Sequence, residues 1–212
     1  MRRGKLITVE GPEGSGKTTL TELLVNELVA EGIPTLKSKE PGTAFEGKLR
    51  SIILGDHPAP VAELFLFLAD RAEHIAKYVE PTLEQGIWVV LDRFSDSTVI
   101  YQAITKEVVD PSVCRRLCDI AEQGVTPDRT LLLVASFENC QARLATRSDQ
   151  IKRVAQQGGL DLESRIWSAY MELAELHPRV RSINTNDANP HEALSLALEQ
   201  LHDLIRDNNL GR

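Results

Sequence analysis

Residues 11–18 read Gly-Pro-Glu-Gly-Ser-Gly-Lys-Thr and satisfy G-x-x-x-x-G-K-[ST] at every fixed position. This pattern constrains the fold because it works in only one setting. A buried strand must run into the glycine turn, and a helix must start near the lysine. Backbone N–H groups and the positive helix end then converge on a phosphate. Both neighbours are legible. Residues 5–10 (KLITVE) form an apolar strand, and residues 18–31 place Leu20, Leu23, Leu24 and Leu28 at helical spacing before Gly32. Lys17 reaches the outer phosphates from this position, and the Thr18 hydroxyl is placed to ligate Mg²⁺.

The same alternation continues along the chain. Strands are expected over residues 35–39, 87–91 (IWVVL), 130–134 (TLLLV) and, more weakly, 180–184. Helices are expected over 46–54, 61–85, parts of 95–123, 137–146, 161–176 and 190–206. Residues 147–159 are polar and end in Gly158-Gly159, which reads as a mobile loop. Apolar strands alternating with helices predict an α/β fold: three layers, with a five-stranded, mostly parallel sheet between helices. Length alone, at 212 residues, fits one domain over 1–212.

Composition removes several function classes. Lys+Arg 24 against Asp+Glu 31 gives a net charge of −7, which argues against a general nucleic-acid coat. A hydrophobic content of 42% rules out disorder. No apolar run is long enough to span a bilayer, and the basic N-terminus leads into a segment broken by Thr8 and Glu10. Cys114, Cys118 and Cys140 lack the spacing and histidines of a zinc site, so they read as thiols in a reducing compartment. The expected location is the cytoplasm, without membrane or nucleic-acid partners.

Ligands of such sheets sit beyond the carboxyl ends of the strands. Asp92 and Arg93 follow the IWVVL strand there, offering a carboxylate for a metal and a planar cation for a second phosphate. Lys39-Glu40-Pro41-Gly42 brings a further charged pair and a tight turn to the same edge, with Arg50 on the next helix. Phe67 and Arg71 share a helix face at i, i+4, so a ring and a cation could stack on a base and bond its carbonyl. Phe65 reads as core. Ser97, Thr98, Tyr101 and Gln102 offer polar groups to a base edge, and Glu13 fits a sugar hydroxyl or a metal-bound water. The phosphate motif alone does not separate kinases from switch GTPases or partitioning ATPases. A switch protein would want an Asn-Lys-x-Asp element, and Asn184-Thr185-Asn186-Asp187 is not one. A partitioning ATPase would want a second signature lysine in the loop, which is missing.

Taken together, VEGPEGSGKTT, KEPGT, LFLFLADRAEHI, DRFSDSTVIYQ and PDRTLLL resemble the thymidylate kinase family, in that family's order. The resemblance implies a P-loop kinase fold with a mobile lid, over about residues 143–160, and usually a homodimer. It implies transfer of the ATP γ-phosphate to dTMP with Mg²⁺, a kinase for another deoxynucleotide or nucleoside being the alternative. It puts ATP on Gly11, Pro12, Glu13, Gly14, Ser15, Gly16, Lys17, Thr18 and Thr19, with Arg143. It puts dTMP among Glu13, Glu40, Pro41, Arg50, Phe67, Arg71, Arg93, Ser97, Thr98, Tyr101 and Gln102. Thr18 and Asp92 would hold Mg²⁺. Lys17, Asp92 and Arg93 would be catalytic, joined by Arg147 and Arg153. The lid basic group (Arg143, Arg147, Lys152 and Arg153) is expected because Gly14 stands where a second type of this family has an arginine. The chain departs from the family in Thr43 after Gly42, in Ala103 after Gln102 and in Val134.

Overall fold

The apolar runs assemble as one five-stranded sheet in which every adjacent pair is parallel, with order β2-β3-β1-β4-β5. The strands are β1 (Leu6–Glu10), β2 (Thr35–Lys39), β3 (Trp88–Asp92), β4 (Arg129–Val134) and β5 (Val180–Asn184). The computed structural model describes residues 2–42, 44–56, 58–145 and 159–209. The helices are α1 (Lys17–Ala30), α2 (Lys48–Gly55), α3 (Pro60–His74), α4 (Glu80–Glu84), α5 (Ser95–Thr98), α6 (Pro111–Glu122), α7 (Phe137–Ala145), α8 (Gly159–Leu176) and α9 (Pro190–Asn209).

The central strand β1 is buried on both faces, as a parallel strand covered by crossover helices must be. Its side chains alternate. Ile7 and Val9 join Val90, Leu131, Leu133 and Ile183 under α1 and α9. The opposite face of the sheet carries Leu6, Val89 and Leu91 against Val79 and Leu83, with Leu132 against Ile166 and Tyr170 of α8. Glu10 belongs to that second face by the period of two, so its carboxylate points into a layer of helices.

The long helix expected over 61–85 is continuous but not uniform, because a π turn at Ile75–Val79 separates α3 from α4. A second π turn, Val99–Thr105, extends α5. Such turns fit one extra residue into a helix and recur at functional sites. Phe65 departs from its expected place in the core and is 55% exposed. Leu64 and Leu68 occupy the buried stripe of α3, and one residue further turns Phe65 by about 100° toward solvent. The three cysteines are buried and free. No described helix is long and apolar enough to cross a membrane. The lid residues Arg147, Lys152 and Arg153 lie outside the described residues.

Candidate active site

The phosphate loop joins β1 to α1, and its shape depends on glycine. Gly14 has φ +79°, and a Cβ there would lie 2.4 Å from the Cys140 carbonyl oxygen of α7. An arginine at position 14 is therefore sterically excluded, whatever its charge would offer. Lys17 is 6% exposed, and its Nζ donates to the carbonyls of Gly11 (2.8 Å) and Pro12 (2.7 Å). Burial, helped by Arg93, lowers its pKa to about 8. Thr18 Oγ1 donates to Asp92 Oδ2 at 2.8 Å across the mouth of the loop. Ser15 Oγ is buried and makes no hydrogen bond among the described residues.

At the end of β3, Arg93 adopts φ +74°, a costly region for a residue with a Cβ. Its own N–H donates to Val9 O at 3.1 Å, which holds the backbone there. Nη1 donates to Ser97 Oγ (3.0 Å) and Tyr170 OH (3.1 Å), while Nη2 pairs with Glu13 and reaches Tyr101 OH at 3.5 Å. The guanidinium stands 5.2 Å from the Tyr101 ring centroid. Burial opposes its charge, but Tyr101, Glu13, Tyr170 and Glu10 outweigh that and keep Arg93 protonated well above its ordinary range. Burial in turn pushes the Tyr101 phenol up to about 12.

At the end of β2, Glu40 is buried and salt-bridged. Arg71 Nε donates to Glu40 Oε2 at 2.8 Å, and His74 Nδ1 lies 3.2 Å from Oε1. Burial raises the Glu40 pKa, yet Arg71 and His74 prevail and hold it below the usual carboxylate value. Behind them, His74 Nε2 is 2.8 Å from Ser38 Oγ. The Glu40–Pro41 peptide is cis, Arg50 donates to Pro41 O at 2.5 Å, and Asp70 accepts from Gly42 N at 3.1 Å. One crevice thus receives Lys17, Lys39, Arg50 and Arg93 alongside Glu13, Glu40 and Asp92.

The expected base-reading group sits deeper. Arg71 is 1% exposed, and its nitrogens go to Glu40, to Thr98 Oγ1 (2.9 Å) and to Cys118 Sγ (3.6 Å). It also lies 5.0 Å from the Phe94 ring centroid. Phe67 is half-buried on α3. Gln102 Nε2 donates to Glu63 Oε2 at 3.1 Å, and its Oε1 is buried without a partner among the described residues. Ser97 and Thr98 are buried and bonded within the protein rather than lining the crevice. Arg143, on α7, donates to the carbonyls of Thr185 (2.5 Å) and Asn186 (3.1 Å) beyond β5.

Sequence reasoning missed Glu10, Tyr170 and His74. A charged residue ending an otherwise apolar strand was the one available signal for Glu10. Tyr170 and His74 stand in ordinary amphipathic helices and gave none. Glu10 is fully buried, and its pKa is raised to about 7, first by desolvation and then by Asp96. Asp96 itself holds a two-pronged salt bridge to Arg179 at 2.7 and 2.9 Å.

Thr18 and Asp92 present a hydroxyl and a carboxylate side by side. That suits Mg²⁺, which takes one or two protein oxygens and completes its shell with phosphate and water. Among the described residues, no cluster of three or more His, Cys, Asp or Glu side chains could hold a metal unaided.

A family profile described as thymidylate kinase matches residues 9–195. A thymidylate kinase of Nitratidesulfovibrio vulgaris is 39% identical over 181 residues, covering 81% of this chain and 84% of the relative. One of Methylococcus capsulatus is 38% identical over 191 residues, covering 88% and 89%. The crystal structure of thymidylate kinase from Ehrlichia chaffeensis superposes with a TM-score of 0.73 at 26% identity, covering 95% of this chain and 99% of that one. With the phosphate loop and the Asp92–Arg93 pair facing each other across one crevice, these matches place the chain in the thymidylate kinase family.

Proposed function

We propose that the chain transfers the γ-phosphate of ATP to dTMP, giving dTDP and ADP, with Mg²⁺ bound by Thr18, Asp92 and the nucleotide. The observation that carries this reading is the shared crevice. There a phosphate loop, through Glu13, Gly14, Gly16, Lys17 and Thr18, faces a separate cation, Arg93, which supports a donor-phosphate cradle beside an acceptor grip. A hydrolase needs only the first, whereas transfer between two nucleotides needs both.

In this reading Arg93 and Arg50 take the acceptor phosphate, and Glu13 turns from Arg93 to the sugar hydroxyl. Phe67 stacks on the base. Arg71, with Thr98, Tyr101 and Gln102, forms the base-reading wall, and Glu40 and Pro41 shape the turn beside it. Lys17 balances charge on the transferred group, aided by Arg147 and Arg153, while Arg143 flanks the donor nucleotide. Thr18 and Asp92 would hold Mg²⁺, which would supply charge neutralisation for the donor phosphates. No protein nucleophile is required.

A coupled ADP-release assay with Mg-ATP and dTMP, dUMP, dCMP, dGMP or thymidine tests the reading, repeated with Arg93→Ala. A dTMP-selective rate that collapses in the variant is expected. ADP release indifferent to every acceptor would refute it. We extend the proposal to a homodimer, supported by Val61 and Phe65, which lie one turn apart on α3 and are 51% and 55% exposed. Three free thiols fit a reducing compartment such as the cytoplasm.

A further inference from the structure

Glu10 does not line the crevice, yet it contacts the groups that hold Arg93 from behind. Its Oε1 accepts from the Phe94 N–H at 2.7 Å and from the Ser97 N–H at 3.4 Å. Its Oε2 accepts from Ser97 Oγ at 2.5 Å and from Tyr170 OH at 3.2 Å. The two hydroxyls are 2.7 Å apart, and both accept from Nη1 of Arg93.

The direction of these bonds follows from proton counting. A guanidinium only donates, so each hydroxyl must turn a lone pair toward Nη1. Each hydroxyl proton must therefore point elsewhere. Glu10 is the contacting group that, once ionised, accepts without donating. The chain of donation runs from Arg93 through Ser97 and Tyr170 to Glu10, and it fixes Nη1 against the scaffold. Nη2 is left with the weaker tie to Tyr101 and with Glu13, whose side chain is 47% exposed.

We propose that Glu10 is a positioning residue for acceptor binding: through the Ser97 and Tyr170 hydroxyls it fixes Nη1 of Arg93 and so presents Nη2 to the acceptor phosphate. This rests on the reading of Arg93 as the acceptor-phosphate grip. Tyr170, 0% exposed on α8, is the second arm of the relay.

Glu10→Gln keeps the shape but reverses the polarity. Its carbonyl can still take the Phe94 N–H, but its amide N–H then faces the hydroxyls and drives a hydroxyl proton toward Nη1. Tyr170→Phe removes one arm without changing charge. Steady-state kinetics on the full chain at about pH 8.5, above the Glu10 pKa of about 7, varying dTMP and ATP separately, give the test. We expect the KM for dTMP to rise roughly tenfold in Glu10→Gln and roughly threefold in Tyr170→Phe, on the scale of one charge-assisted hydrogen bond. The KM for ATP should stay within about twofold of wild type, since Lys17 keeps its own partners. Glu10→Asp, which restores acceptor polarity, should recover part of the loss.

Equal rises in both KM values, or no rise for dTMP, would overturn the proposal. If Glu10→Gln does not fold, Tyr170→Phe decides alone by the same criterion. Arg93→Ala separates the two layers. Should it leave the KM for dTMP unchanged, the grip itself is wrong. Should it raise that KM while Glu10→Gln does not, only the positioning role is wrong.

Discussion

Replacing Glu10 by Gln should change how stability depends on pH, by an amount that follows from the carboxyl's surroundings. Folding moves this group from 4.5 to about 7, because desolvation and Asp96 outweigh the bonds from Ser97 and Phe94 and the charge of Arg93. A folded pKa above the unfolded one means that the native state binds the proton more tightly. Its contribution is complete below pH 4.5 and is lost as pH rises through 7. A shift from 4.5 to about 7 couples about 3 kcal/mol to this proton. Gln does not titrate, so the stability of Glu10→Gln minus that of wild type should rise by about 3 kcal/mol between pH 4.5 and pH 8. The altered hydrogen bonds add an offset that is the same at every pH and leaves the slope intact. Urea unfolding followed by tryptophan fluorescence, with Trp88 buried as reporter, measures the difference at several pH values. A flat or falling difference would refute the reasoning, because it would mean that the donors around Glu10 fully offset its desolvation.

Two further outcomes follow from geometry already described. Gly14→Ala should cost at least about 2 kcal/mol, since a Cβ at φ +79° meets the Cys140 carbonyl at 2.4 Å, and the KM for ATP should rise; thermal unfolding and donor kinetics read both. Asp96→Asn should cost about 2–3 kcal/mol in urea unfolding, less than a fully buried pair because Arg179 keeps 24% of its side chain exposed. It should also lower the Glu10 pKa, since Asp96 is one of the two causes that raise it.

The strands and the phosphate loop were legible because their signals are local. Residues 5–10, 87–91 and 130–134 are apolar runs that suit only a doubly covered parallel strand, and all three became one. The π turn at Ile75–Val79 was not legible, because one inserted residue barely disturbs an apolar periodicity that continues on both sides. Phe65 misled for a related reason: hydrophobicity identifies candidates for the core, but the neighbouring Leu64 and Leu68 decide which face turns inward. Arg71 was read as a base contact from its i, i+4 spacing to Phe67. The structure adds what spacing could not show, that three of its five N–H donors go to Glu40, Thr98 and Cys118. Glu10 was hidden by distance. Its hydroxyl partners stand 87 and 160 residues away along the chain, and no periodicity links them.

The crevice also keeps its charged groups occupied from within. Glu13 occupies Arg93, loop carbonyls occupy Lys17, and Thr18 occupies Asp92, all from the same chain. An arriving phosphate therefore replaces an internal partner rather than stripping condensed salt from a bare cationic pocket. Affinity for a highly charged ligand is then governed by how readily Glu13 and the loop carbonyls let go. Ionic strength, which screens exposed charges over roughly 8–10 Å, has correspondingly little hold on it.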